Sequence, residues 1–256
     1  MLKFLKLVKV GFWVTLITLI AASFVAVSAI EYHTIPSWED VITDDNVARL
    51  PADPSSIAIR KSRDSAVLVQ STSAGFWGGT STMTGTYFVA NSKPYVVTVH
   101  HGIHGPCGLI VVLHDDEGYS CKEYTLVDKE NDYVIMEMET LLSNRTPVQI
   151  PADLPHGGEW KPSYSILNGI IYTGYPNTVG PLTLRGDVIG YGDEYVYVFS
   201  HAYGGASGSG VFTHDGKYIG YVVAIDVGVT EWGPDVLENI VIVAPAFNVD
   251  WSIVLN

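Results

Sequence analysis

The chain has 256 residues, 47% of them hydrophobic and 16% charged, with a net charge of −13 at neutral pH. That length and apolar content suit one globular domain, or two small subdomains sharing an interface behind a leader, and they exclude a disordered chain. Lys3, Lys6 and Lys9 belong to the leader, so residues 30–256 carry 11 basic against 27 acidic residues, which excludes a nucleic-acid-binding surface built on a basic patch.

After those lysines, Gly11 to Ile30 run for 20 residues without a charge, the pattern of an export signal or a membrane anchor. Val27-Ser28-Ala29 offers small residues at the offsets a signal peptidase reads, so residues 1–29 are either a signal peptide cleaved after Ala29 or an uncleaved anchor. In the second case membrane attachment runs through residues 11–30. Both alternatives deliver the remainder outside the cytoplasm. Residues 30–58 mix Pro36, Pro51 and Pro54 with acidic residues and read as a linker, with one short helix over Trp38–Leu50 capped by Ser37.

From residue 59 to residue 256 the pattern is that of a β domain. Short β-rich runs of period two cover Ala66–Ser71, Thr80–Ala90, Tyr95–His100, Leu109–His114, Tyr124–Val127 and Tyr133–Glu139. Turn residues such as Asn91-Ser92-Lys93-Pro94 and Asp115-Asp116-Glu117-Gly118 separate them. A proline-bearing connection over 146–162 leads to a second set: Ser165–Tyr175, Leu182–Tyr191, Tyr195–Ser200, Gly210–Phe212, Tyr218–Ile225 and Asn239–Val243. No long amphipathic helix interrupts them, which excludes a parallel α/β fold. The expectation is an all-β fold of two six-stranded antiparallel β-barrels, over about 60–148 and 160–245, with a cleft between them and a short C-terminal helix within Pro245–Leu255.

Two cysteines, Cys107 and Cys121, suit an oxidising compartment. A hairpin turning at Asp115–Gly118 puts Cys121 opposite about Leu113. A disulfide therefore requires the segment at Cys107 to fold back, and the alternative is two free thiols.

The chemistry centres on Tyr203–Phe212, reading YGGASGSGVF. Its glycines permit a turn that aims backbone N–H groups at one point, the construction of an oxyanion hole, and Ser207 sits within it. A serine hydroxyl needs a base, and the base needs an orienting group. The apolar strand Tyr95–Val99 ends in His100-His101-Gly102, and the acidic turn Glu130-Asn131-Asp132 enters the strand at Tyr133. His101 is preferred to His100, which faces the other side of the strand, and to His104, which lies beyond Gly102. Asp132 is preferred to Asp128 and Glu130 because it alone directly precedes the apolar strand. A zinc site among the neighbouring His and Cys residues lacks the close Cys-x-x-Cys spacing and the helix that would present His pairs, so no metal is expected.

These blocks resemble a chymotrypsin-fold (trypsin-like) serine protease, in the style of the bacterial and viral branches, over about residues 60–245. Val97–His101 resembles the Thr-x-x-His strand end, Asp132–Ile135 the Asp-x-Ala-Leu block, and Gly205–Gly210 the Gly-x-Ser-Gly-Gly/Ser block. Tyr172–Pro176 with Leu182–Val188 resembles the strands that open the second barrel in the HtrA-like branch, here without a PDZ-like module. The resemblance implies Ser207 as nucleophile, His101 as general base, Asp132 as orienting acid, the N–H groups of Gly205 and Ser207 as the oxyanion hole, protein or peptide substrates, and no cofactor. The alternative is a protease-fold binding module without turnover.

The pattern is broken at Ala206, where trypsin-like zymogens carry the aspartate that pairs with a new N-terminus, so the loop must be held by other contacts. For substrate binding, the resemblance puts His201 at the pocket floor, as a polar floor or simply a strand-end residue, and Val222, Val223 and Ala224 along the wall. An apolar wall with no acidic floor argues against a Lys/Arg preference.

Overall fold

A computed structural model describes residues 55–73, 79–114, 117–143, 145–151, 154, 161, 164–230 and 233–255. The expected leader, its membrane attachment and the helix over 38–50 lie outside these residues, among which no helix is long and apolar enough to cross a membrane.

The first barrel contains β1 (Ala66–Thr72), β2 (Thr80–Ala90), β3 (Lys93–Val99), β4 (Ile110–His114), β5 (Glu117–Asp128) and β6 (Tyr133–Met138), and it closes in the order β1-β2-β3-β6-β5-β4. The second contains β7 (Gly169–Gly174), β8 (Leu182–Tyr191), β9 (Val196–Phe199), β10 (Gly210–Thr213), β11 (Tyr218–Thr230) and β12 (Gly233–Pro245), closing as β10-β11-β12-β9-β8-β7. Neighbouring strands in both are antiparallel, as the alternating runs require. Closure leaves no unpaired edge.

Strands β3 and β6 are buried along nearly their whole length, from Pro94 to Val99 and from Tyr133 to Met138. Their inner faces fill the first barrel, and other elements cover the outer faces. One apolar cluster joins Phe88, Tyr95 and Val97 to Tyr218 and Tyr221 of the second barrel and to Trp251 and Val254 of the C-terminal segment. Phe88 stacks on Tyr95 with centroids 5.3 Å apart and meets Trp251 edge-on at 5.4 Å, and Trp251 in turn meets Tyr218 at 6.2 Å. Aromatic pairs of this kind contribute about 0.5–1.5 kcal/mol each beyond area burial.

Three expectations change. The last residues of the expected linker enter α1 (Ser55–Ser65), whose buried face is Ala58, Ser62 and Ser65 at helical spacing. Small residues give that face no hydrophobic signal, so nothing in the pattern announced it. The helix leads into β1 yet bonds to the other barrel: Ser62 Oγ donates to Thr173 Oγ1 at 2.8 Å, and Arg63 donates to Thr183 Oγ1 at 2.9 Å. Strand β5 begins at Glu117, because His114 pairs directly with Glu117. The tighter turn carries Cys121 past Leu113 to the level of Ile110, beside the 3-10 turn Cys107–Leu109. There Cys107 and Cys121 form a disulfide with Cα atoms 5.4 Å apart. Strands β11 and β12 extend into a long hairpin in which Thr230 pairs with Gly233, where Gly, Pro and acidic residues had masked the strand pattern. The expected short C-terminal helix is α2 (Ser252–Leu255), preceded by a 3-10 turn at Ala246–Asn248. Trp251 Nε1 donates to Ala246 O at 2.7 Å, and Asp250 Oδ1 accepts from Ser252 N at 3.1 Å, which restarts the chain as a new helix.

Two measurements follow from this packing. The Cys107→Ala/Cys121→Ala pair lowers unfolding free energy by about 2–3 kcal/mol in urea titration, because the disulfide closes a loop that the unfolded chain must otherwise leave open. The carboxylate of Glu137, buried between Lys122 (2.5 Å) and Lys93 (3.0 Å), is held below the usual range, first by its hydrogen bond from Lys122. Its contribution is present above the unfolded carboxylate value of about 4.3 and is lost as pH falls through the lower folded value. Glu137→Gln therefore lowers Tm at neutral pH, and the gap to the wild type closes on acidification below about pH 4.

Candidate active site

The register of β3 and β6 sets the first half of the site. Val99 pairs with Tyr133, so the next residues outward, His100 and Asp132, face one another as the strands part. His100 N donates to Asp132 O at 3.1 Å. Asp132 then makes two contacts with His101: its Oδ1 accepts the backbone N–H at 2.8 Å, and its Oδ2 lies 2.7 Å from Nδ1. A carboxylate only accepts, so Nδ1 carries the proton and Nε2 is left as the acceptor. The His101 side chain is half exposed, whereas that of Asp132 is 20% exposed.

The rival carboxylates do other work. Asp128 Oδ1 accepts from Glu130 N at 2.9 Å and Asn131 N at 3.0 Å, and Oδ2 accepts from Asn131 Nδ2 at 2.8 Å. These bonds, the Asn131 N–H above all, hold Asp128 below the usual carboxylate range, and they shape the turn that delivers Asp132. Glu130 is exposed, and so is His104, whose N–H donates to Ser71 Oγ.

The second half is the loop between β9 and β10. Gly205 has φ +98° and Gly208 φ +88°. A Cβ on Gly208 would lie 1.9 Å from Thr84 O, and one on Gly205 2.6 Å from Tyr175 O, so both positions require glycine. The loop is held from behind by its carbonyls. Asn177 N–H donates to Gly204 O at 2.7 Å, Ser209 Oγ donates to Ala206 O at 2.6 Å, and Ser209 N–H reaches the same oxygen at 3.1 Å. In a planar peptide the N–H points opposite to its carbonyl. Anchoring Gly204 O and Ala206 O therefore turns the N–H groups of Gly205 and Ser207 to the other side, where neither has a partner among the described residues. Thr84 of β2 completes the grip: its N–H donates to Ser207 O at 2.9 Å and its Oγ1 to Gly205 O at 2.7 Å, while Tyr175 N–H fixes Oγ1 at 2.9 Å. These contacts occupy the role left vacant by Ala206, itself buried. Nothing in the sequence pattern singled out Thr84, Asn177 or Ser209.

Both halves open on one cleft of about 200 Å³, lined by His101 and Ser207. Val222, Val223 and Ala224 of β11 form a wall, and Ala202, Tyr203 and Ala206 also line the cleft. No hydrogen bond joins Ser207 Oγ to His101 among the described residues. His201, the expected floor, does not line the cleft. Its carbonyl is drawn inward by the Tyr172 hydroxyl and its side chain is exposed, so the neighbouring Ala202 takes the place beside the wall. Cys107 and Cys121, bonded to each other, are not free to ligate a metal.

No family model and no curated protein matches the sequence. Solved structures do match by fold. A serine endoprotease from Yersinia pestis aligns with TM-score 0.59 at 17% identity, covering 80% of this chain and 68% of that one. The HtrA-type protease AlgW with a tripeptide aligns with TM-score 0.58 at 16% identity, and a variant of AlgW with a tripeptide with TM-score 0.59 at the same identity, each over 78% of this chain and 63% of the other. The chain thus spans about two thirds of the length of these proteins and shares their two-barrel chymotrypsin fold.

Gly205→Ala forces a side chain into a left-handed conformation and against the Tyr175 carbonyl. It is expected to lower unfolding free energy by about 1–3 kcal/mol, read by chemical denaturation.

Proposed function

We propose that this protein is a serine endopeptidase that hydrolyses peptide bonds of protein or peptide substrates through an acyl-enzyme. The observation that carries the reading is the two-point contact of Asp132 with His101 on the rim of a cleft that Ser207 also lines. Ser207 Oγ attacks the scissile carbonyl and passes its proton to His101 Nε2. Asp132 holds the Nδ1–H and stabilises the imidazolium that forms. The carbonyl oxygen, now negative, takes hydrogen bonds from the N–H groups of Gly205 and Ser207, each donor contributing about 3 kcal/mol of transition-state stabilisation. Collapse of the adduct transfers the proton from His101 to the departing amine, and water, activated by the same histidine, releases the acyl group.

Substrate that excludes water from the cleft draws Ser207 Oγ onto His101 Nε2. The wall of Val222, Val223 and Ala224, with Ala202 in place of a polar floor, favours an apolar side chain on the acyl side of the scissile bond. The disulfide and the apolar leader support export, to be secreted or held at a membrane. A binding module without turnover has no need of spare N–H donors beside a paired histidine.

A fluorophosphonate separates the two readings. The folded wild type is labelled and Ser207→Ala is not; a folded wild type that resists the reagent overturns the enzyme reading. Asp132→Asn folds but presents the wrong group to Nδ1, and kcat falls by about 10⁴-fold, the scale of this exchange in serine proteases generally. Unchanged turnover would move the orienting role to another acid.

A further inference from the structure

Asp132 is held in a left-handed conformation, which aspartate tolerates better than most residues but does not prefer. Its φ is +55°, in the left-handed region that costs a side-chain-bearing residue stability unless its surroundings impose it. Two hydrogen bonds impose it, one on each flanking peptide. The peptide after Asp132 is fixed by His100 N–H, which donates to Asp132 O. The peptide before it is fixed by Tyr221, whose hydroxyl donates to Asn131 O at 3.0 Å. Tyr221 belongs to β11 of the second barrel, next to the cleft wall, and is fully buried.

From this geometry we infer that Tyr221 is a positioning residue, a clasp from the second barrel that sets the Asn131–Asp132 peptide and so aims the Asp132 carboxylate at His101. Three features support it. The Asn131 side chain and N–H are already committed to Asp128, so its carbonyl is the part of the turn that the second barrel can grip. Burial, then the neighbouring Tyr218 and the Asp132 charge, pushes the Tyr221 hydroxyl well above its usual value, so it remains a donor throughout the working range of a histidine base. The strand that carries it is continuous with Val222 and Val223 of the cleft wall, so the pocket wall and the clasp on the Asp132 turn sit on one strand.

The inference rests on the proposed role of Asp132, and the test separates the two. Tyr221→Phe removes only the hydroxyl. Tyr218→Phe, whose hydroxyl is equally buried and has no hydrogen-bond partner among the described residues, serves as the control. On a peptide ester substrate Tyr221→Phe lowers kcat by about tenfold to a hundredfold with KM within about twofold, the pattern of a misaimed catalytic group. The low-field proton resonance of His101 Nδ1–H, which does not depend on turnover, moves in Tyr221→Phe and stays in place in Tyr218→Phe. Replacing Tyr221 with para-aminophenylalanine returns a donor on the same ring and restores most of the lost kcat. An unmoved resonance with kcat within twofold of wild type, or a folded para-aminophenylalanine chain as slow as Tyr221→Phe, overturns the clasp. Failure of the wild type to take a fluorophosphonate overturns the protease reading instead, and the resonance still decides the clasp.

Discussion

One residue of the first barrel, Thr84, holds the loop of the second. Its N–H and Oγ1 take the carbonyls of Ser207 and Gly205, and its own carbonyl lies so close to Gly208 that no side chain fits between them. The Thr84 carbonyl accepts from Thr98 Oγ1 at 2.6 Å, and Thr86 Oγ1 donates to Gly208 O at 3.1 Å, so the grip is braced from inside the first barrel. Thr84, Thr86, Thr98 and Gly208 are buried, where an unmade hydrogen bond is costly, so the docking has one good solution rather than a range of them.

That docking decides what the cleft can do. The peptides that carry the N–H groups of Gly205 and Ser207, the proposed oxyanion donors, are anchored by Asn177 and Ser209, outside the Gly-rich turn or at its far end, and Thr84 holds the peptides that follow each. Preorganised donors cost nothing to reorient when charge develops, and this is where electrostatic catalysis draws its advantage. Ala206 fits the same logic. With no carboxylate there is no ion pair to wait for, and the loop is held by neutral hydrogen bonds that exist once the barrels close.

The first barrel contributes by register. Pairing Val99 with Tyr133 brings His100 opposite Asp132, and the left-handed turn at Asp132 carries its carboxylate one residue further, to His101. A slip of one residue in that pairing would send His101 and Asp132 to different faces. The buried outer faces of β3 and β6 make such a slip expensive, since it would expose the residues that meet Trp251 and the second barrel.

The amino-acid sequence by itself determined the fold class, the two sets of six strands, and the three blocks that hold His101, Asp132 and Ser207, because each depends on local pattern: alternation, a strand ending in histidine, an acid entering a strand, a glycine-rich turn. It did not contain α1, whose buried face is alanine and serine, nor the disulfide, which hinges on where a hairpin turns. The family resemblance put His201 at the pocket floor or left it as a strand-end residue; its carbonyl is bonded to the Tyr172 hydroxyl, its side chain is exposed, and Ala202 lines the cleft instead. Thr84 and Gly205 are 121 residues apart, and Tyr221 and Asn131 are 90 apart. Their roles arise only when two closed barrels press together, and the tertiary structure alone decided them, because a hydrogen bond between distant backbone and side-chain atoms leaves no periodicity in the chain that makes it.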